Sequence, residues 1–233
     1  RGLDPSVVTL TDVLKQAGYV TGMFGKWHLG TQPQFHPQAR GFDEFYGFLA
    51  GAHSFFPSKG PQPIHSTVMR NKTPLIEPEY LTDAIAREAV NFITVNQDKP
   101  FFAYVPFNAV HTPIEATEKY QDRFPDETDQ TRRDYYAMTS ALDDAVGSIV
   151  GALDKHGLSE NTLVIFANDN GGPTYTRVQN NGPLKLGKLF LFEGGIRVPM
   201  VIKLPGKFEP GTVYDHPTST LDLFPTICAA AGI

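Results

Sequence analysis

Short apolar runs that alternate with helix-period stretches constrain the fold of this chain more than any other feature. Tyr19–Phe24 follows a short helical stretch, Thr11–Ala17, which Gly18 can close in a left-handed cap. Tyr80–Asn96 carries Leu81, Ile85, Ala89 and Phe92 at helical spacing, with Thr82 available as a cap, and leads into Phe101–Phe107. Thr131–His156 lays Ala137, Ala141, Leu142, Ala145, Ile149 and Leu153 along one face, with Gly157 where a C-cap belongs. It is followed by Asn161–Ala167, which reads as another buried strand centred on Leu163–Phe166, and later by a strand over Met200–Lys203. Ser219–Ala230 reads as a capped helix on the core. Helices alternating with buried strands predict an α/β fold with a largely parallel sheet. A chain of 233 residues buries one sizeable core, and no repeat, low-complexity segment or internal boundary interrupts it. We therefore expect a single domain over residues 1–233.

Composition narrows the classes of function. The chain is 41% hydrophobic and 19% charged, which suits a globular protein rather than a disordered one. A net charge of −5, with no dense Lys/Arg run, argues against general nucleic-acid binding. An anionic ligand would have to be met by a few local cations. No apolar run is long enough to span a membrane, and Arg1–Ser6 has no signal-peptide character. The one cysteine, Cys228, lies in an apolar stretch and reads as a buried thiol. Asn71-Lys72-Thr73 forms a glycosylation sequon.

The residues with chemistry cluster where strands end. In Gly18–Gly30, GYVTGMFGKWHLG, Lys26 and His28 stand two positions apart. In an extended segment they share one face while Trp27 points to the other, so they are either an ammonium and an imidazole offered to an anion or a solvated lysine beside a hydrogen-bonded histidine. Thr31–Pro63 has no steady period and reads as a long irregular excursion carrying His53, either a ligand contact or a loop histidine with a local partner. Beyond Phe101–Phe107 come Asn108 and His111-Thr112-Pro113, in a loop where α/β enzymes commonly place functional groups. Asp143 and Asp144 diverge by about 100° on a helix, so they read as a solvated face or a salt bridge. Asn168-Asp169-Asn170-Gly171-Gly172 is either a turn or a set of oxygen ligands for a hard cation, calcium before magnesium. Lys185 and Lys188 lie in the following loop. The Glu193–Pro199 glycines read as structural, and Arg197 as the partner of a nearby carboxylate.

Taken together, Gly18–Gly30, Gly41–Gly47 (GFDEFYG), His111–Pro113, Asp169–Gly171, Lys188–Pro199 (KLFLFEGGIRVP) and Leu221–Thr226 (LDLFPT) resemble the type I, formylglycine-dependent sulfatases. The likeness runs through almost the whole chain in the family's order, and separated segments in register are far more specific than any one motif. Gly41–Phe56 looks most like the arylsulfatase A and N-acetylgalactosamine-6-sulfatase branch. The family's nucleophile motif, Cys (or Ser)-x-Pro-Ser-Arg, does not occur in these residues and is expected upstream. The resemblance implies an alkaline-phosphatase-like mixed, largely parallel sheet flanked by helices. In this chain that fold would be incomplete at the N-terminus and lack a smaller C-terminal subdomain.

The resemblance also implies a sulfuric ester hydrolase acting on an aryl or carbohydrate sulfate. In it a hydrated formylglycine attacks sulfur and releases the alcohol. Calcium, with magnesium as the alternative, would be bound partly by Asp169 and Asn170. Lys26, His111 and Lys188 would bind the sulfate, and either His111 or Lys188 would protonate the leaving oxygen. His28 would hold the nucleophile, and His53 would touch the sulfated group. Partners would be sulfated small molecules or glycans, and export to periplasm, exterior or lysosome follows from the family alone. A phosphoester or phosphonate hydrolase of the same superfamily, or a catalytically inactive module that binds sulfated glycans, are the alternatives. Without the nucleophile, these 233 residues alone are expected to show no turnover of an aryl sulfate in calcium buffer. Hydrolysis that tracks the purified chain and disappears in Lys188→Ala would refute this.

Overall fold

The computed structural model describes residues 2–58, 60 and 62–233. Arg1 of the opening hexapeptide, and Lys59 and Pro61 of the Thr31–Pro63 excursion, lie outside the described residues. In chain order the elements are α1 (Leu10–Gln16), β1 (Val20–Lys26), β2 (Glu44–Phe48), β3 (Met69–Arg70), β4 (Thr73–Pro74), α2 (Leu81–Val95), β5 (Phe101–Tyr104), α3 (Glu118–Gln121), α4 (Gln130–Lys155), β6 (Val164–Ala167), α5 (Glu193–Ile196), β7 (Met200–Lys203) and α6 (Leu223–Ala230). They group into two compact units, one formed by Arg1–Leu158 with Thr218–Ile233 and the other by Ser159–Pro217. No described helix is long and apolar enough to cross a membrane.

The first unit is built on a five-stranded sheet of order β4-β3-β2-β1-β5. β1 pairs in parallel with both β2 and β5, whereas β3 and β4 add on antiparallel, so the sheet is mixed with a parallel centre. Register follows from alternation. Met23 opposite Phe45 faces one side and Phe24 opposite Tyr46 the other. Phe24, Tyr46 and Phe48 pack under α2 against Leu81, Ile85, Ala89 and Phe92. Met23 and Phe45 join Trp27, Phe42, Leu49 and Met69 on the opposite face. α2 in turn packs on α4, whose Ala137, Met138, Ala141 and Ala145 are buried.

Side chains cap α1, α4 and the turn that precedes α6. Thr9 caps α1 in a reciprocal box with Asp12, and Ser219 does the same with Asp222 ahead of α6. Asp129 caps α4 by accepting from the Arg132 amide. Asp144 makes a two-pronged contact with Arg123 at 2.9 and 2.7 Å, the salt-bridge outcome expected for the Asp143-Asp144 pair. Arg197 pairs with Glu193 at 3.3 Å, and Cys228 is a buried free thiol.

Four expectations need correction. The Thr31–Pro63 excursion contains β2, because Glu44–Phe48 aligns its backbone with β1 over five residue pairs and buries Phe45, Tyr46 and Phe48. Thr82 does not cap α2. The N-cap is Tyr80, and Thr82 is buried with its hydroxyl unpartnered. β5 ends at Tyr104, short of Phe107, since Pro106 has no amide to donate to a ladder. The strand inside Asn161–Ala167 is β6, which pairs antiparallel with β7 in a separate two-stranded sheet, and its Phe166 is 39% exposed. Asn71, the sequon asparagine, occupies the β3–β4 turn at φ 56°, its side-chain oxygen accepting from the Phe45 amide at 2.9 Å.

A charged network sits beneath β2. Tyr46 donates to Glu77 at 2.5 Å, Arg87 contacts Glu77, Glu79 and Glu88, and Arg70 reaches Glu88 at 2.8 Å. Burial by itself raises the pKa of Glu77 and Glu88. Bonds from Arg87 and Tyr46 to Glu77, and from Arg70 and Arg87 to Glu88, more than offset that, so both titrate below the ordinary value of 4.5. A carboxyl lowered in the folded state contributes stability that is present above its unfolded pKa and lost as pH falls through its folded one. Thermal midpoints are therefore expected to drop on acidification below pH 4.5. Glu88→Gln should cost about 1–3 kcal/mol at neutral pH and shrink that acid-side drop, as read by urea unfolding across the pH range.

Candidate functional site

The carboxyl ends of three parallel strands, β1, β2 and β5, lie on one edge of the first unit's sheet. The loops leaving them are joined by backbone hydrogen bonds. The Lys26 amide donates to Pro106 at 2.8 Å, the Trp27 amide to Phe48 at 3.0 Å and the His28 amide to Leu49 at 3.3 Å. Gly25 allows this approach, since a Cβ there would fall 2.2 Å from the Pro106 carbonyl oxygen. Lys26 is the last residue of β1, and His28, His53 and His111 belong to these loops.

Lys26 and His28 do not form the extended pair expected from their spacing. β1 ends at Lys26, and His28 has φ 58°, a left-handed conformation. Trp27 explains the break. It is only 6% exposed and its indole donates to the Phe35 carbonyl at 2.7 Å, so burying Trp27 sets the chain direction. His28 stays exposed, with its ring against Gly51. Lys26 is half-buried.

His53 has the local partner that its sequence context allowed for. Its Nδ1 meets the Ser54 carbonyl at 2.5 Å and its ring lies 4.9 Å from that of Phe48. Next to it a cavity of about 400 Å³ is lined by Phe56, Ser58, Gln62, Thr67 and Glu79 among others. His111 follows β5 as predicted, its amide bonded to the Asn108 carbonyl at 2.8 Å. Its Nδ1 lies 2.8 Å from the Thr112 carbonyl, which can only accept, so Nδ1 carries a hydrogen and Nε2 is the nitrogen left for chemistry. Asn108 is buried with its side-chain amide unpartnered.

The second unit carries Asp169, Asn170 and Lys188. Asp169 and Asn170 follow β6 directly, where the Asn168 amide bonds the Pro199 carbonyl at 3.3 Å and the Gly171 amide the Gly195 carbonyl at 3.0 Å. Asp169 is exposed. Asn170 turns its Nδ2 onto the Gly171 carbonyl at 3.0 Å, which leaves Oδ1 as its available acceptor. A carboxylate and an amide oxygen suit a hard cation, and they supply part of the six to eight oxygens calcium takes. Among the described residues no three His, Cys, Asp or Glu side chains gather into a metal site. The Lys188 amide bonds the Gly172 carbonyl at 3.3 Å, so the lysine segment is anchored to the Asp169–Gly172 turn. Lys185 lies over the Phe192 ring at 4.3 Å, a cation–π contact rather than a ligand position. Asn181, which no motif marks, makes three hydrogen bonds within this unit. Nothing in its Asn-Asn-Gly-Pro context distinguishes it from an ordinary turn.

Gly25→Ala offers a direct check on the first unit's edge. The added methyl must push β1 from the Pro106 segment, with an expected loss of about 2 kcal/mol or more. The Lys26 amide, protected by Pro106 in the native chain, should exchange with solvent faster in the variant, as followed by hydrogen exchange.

Comparison with known proteins gives a consistent result. The sequence profile of the family described as Sulfatase matches residues 1–233. The N-acetylgalactosamine-6-sulfatase of Mus musculus is 33% identical over 249 residues, taking in 100% of this chain and 46% of the relative. A protein of Formosa agariphila named Sulfatase is 32% identical over 281 residues, 99% of this chain and 50% of the relative. The chain spans about half the length of the curated relatives it matches. A solved structure described as Ps i-CgsB in complex with k-i-k-neocarrahexaose has a TM-score of 0.94 at 40% identity, covering 100% of this chain and 55% of that one.

Proposed function

The chain belongs to the sulfatase family, and from that premise we propose that it is part of the catalytic domain of a sulfuric ester hydrolase acting on a sulfated carbohydrate. Its mixed sheet flanked by helices is the alkaline-phosphatase-like fold that the resemblance implied. One observation carries the functional reading. The end of β1 and the loops after β1, β2 and β5, bonded at a single sheet edge, bear Lys26, His28, His53 and His111. The carbohydrate class draws support from relatives named for N-acetylgalactosamine 6-sulfate and described with a neocarrahexaose.

The chemistry follows from the groups. A sulfate monoester is anionic, so the Lys26 and Lys188 ammoniums would bind its oxygens and stabilise charge developing in the transition state. The S–O bond breaks with charge building on the leaving oxygen, which needs a proton. His111, with Nδ1 committed to Thr112, would give it from Nε2 and must be doubly protonated to do so. His28 would hold the nucleophile and take its remaining proton as sulfate is expelled, and His53 would touch the sulfated group. Asp169 and Asn170 would hold part of a calcium or magnesium site, and the bound cation supplies polarisation of a sulfate oxygen. A formylglycine supplies the nucleophile in this family. Export to periplasm, exterior or lysosome belongs to the same proposal.

The test uses the full-length protein with N-acetylgalactosamine 6-sulfate and a nitrophenyl sulfate. Lys188→Ala should lower kcat/KM by about a hundredfold or more on both. His111→Ala should cost about 10²–10⁴-fold on the sugar ester and clearly less on the nitrophenyl ester, whose leaving group needs no acid. Equal losses would remove His111 as the acid, and a loss in Lys188→Ala that falls mainly on the sugar ester would assign that role to Lys188. Chelation should suppress turnover and calcium restore it. Faster cleavage of a matched phosphate ester, or retention on sulfated polysaccharide with no released sulfate, would overturn the proposal.

A further inference from the structure

Within the second unit, a single side chain bridges the turn that bears Asp169 and Asn170 and the segment that bears Lys188. Asn181 Oδ1 accepts from the Gly172 amide at 2.9 Å, while its Nδ2 donates to the Gly172 carbonyl at 2.7 Å and to the Leu186 carbonyl at 3.0 Å. Both halves of the Gly172 residue are thereby fixed by one amide. The same Gly172 carbonyl accepts from the Lys188 amide at 3.3 Å, so its two lone pairs serve Asn181 and Lys188 together. Space around this contact is closed. A Cβ on Gly187 would fall 2.0 Å from the Gly172 oxygen and 2.5 Å from Asn181 Nδ2.

We propose that Asn181 is a positioning residue that sets the metal-ligand turn and the sulfate-binding lysine in one fixed relation. The proposal rests on the roles given above to Asp169, Asn170 and Lys188. An amide is the side chain that fits, because the position needs an acceptor and two donors at once. Aspartate keeps the acceptor for the Gly172 amide. It loses both donors and turns a carboxylate oxygen toward two carbonyl oxygens.

The experiment compares wild type, Asn181→Ala and Asn181→Asp in the full-length protein, with three readouts. Hydrogen exchange at the Gly172 and Lys188 amides reads the tie itself. Titration with terbium(III), followed by its luminescence, reads the cation site, and titration with inorganic sulfate reads the lysine. Faster exchange at both amides is expected in each variant, together with weakening of about tenfold for terbium and for sulfate, or 1.4 kcal/mol each. In double variants, Asn181→Ala should add little to the terbium loss caused by Asp169→Ala, or to the sulfate loss caused by Lys188→Ala. Unchanged exchange at Gly172 would overturn the tie. Faster exchange with a lowered Tm but wild-type terbium and sulfate affinities would overturn the positioning role and leave a loop-stabilising residue. If wild type itself binds neither probe, the site assignment fails, and faster exchange at Gly172 and Lys188 still sustains the tie.

Discussion

The first unit depends on how closely β1 can approach the chain segments beyond its parallel neighbours. Its last amide, that of Lys26, donates to Pro106, and the next two, those of Trp27 and His28, donate to Phe48 and Leu49. These are main-chain bonds between loops, and a loop held by such bonds loses little freedom when a ligand arrives. The approach exists because Gly25 presents no Cβ to the Pro106 carbonyl. Trp27 then fixes direction, since burying its indole and satisfying its N–H at Phe35 determine where Lys26 and His28 leave the strand. Packing, register and the placement of charged groups are therefore one problem at this edge.

The second unit solves a similar problem with different means. Its antiparallel β6–β7 pair is short, and no long helix covers it within the unit. Order comes from backbone placed against backbone through the glycines of Asn168–Gly172 and Glu193–Arg197, with the Gly171 amide on Gly195 and the Gly194 amide on Lys185. Asn181 adds the side-chain link. Within this unit Phe166 and Val201 are exposed. Its geometry rests on directional bonds, which lose their strength steeply with misalignment.

Sequence showed the elements well and their partners less well. The helices at Leu81–Val95 and Gln130–Lys155 were legible because their apolar period extends over several turns. β1 and β7 were legible as apolar runs between glycines and prolines. β2 was missed inside Thr31–Pro63, because its polar, Gly-rich flanks hide a five-residue strand. Whether β6 pairs parallel or antiparallel is a tertiary matter that composition does not encode. The Lys26–His28 spacing misled for a related reason. It assumed an extended chain past Gly25, whereas the demand for burying Trp27 turns His28 to positive φ. Asn181 left no signal at all, since three hydrogen bonds to carbonyls and an amide remote in sequence look, in one dimension, like a turn.

The segments that carry the family likeness divide into two kinds when their contacts are followed. Gly41–Gly47 is architectural. Asp43 accepts from the Thr21 amide and hydroxyl and pairs with Lys15 at 2.7 Å, while the preceding Arg40 is buried and donates to the Pro5 and Val7 carbonyls. These charges tie the chain entering β2 to β1, to α1 and to the segment that contains Pro5 and Val7. Lys26, His28 and His111 are of the other kind, with backbone amides bonded where strands end. Main-chain bonds of this sort do not depend on side-chain identity, so side chains beyond the strand ends can change without disturbing the framework. The stretch around His53 lies beyond the end of β2. It borders a cavity of about 400 Å³ whose wall combines Phe56 with Ser58, Gln62 and Thr67. An aromatic face beside hydroxyl and amide groups is suited to a sugar ring.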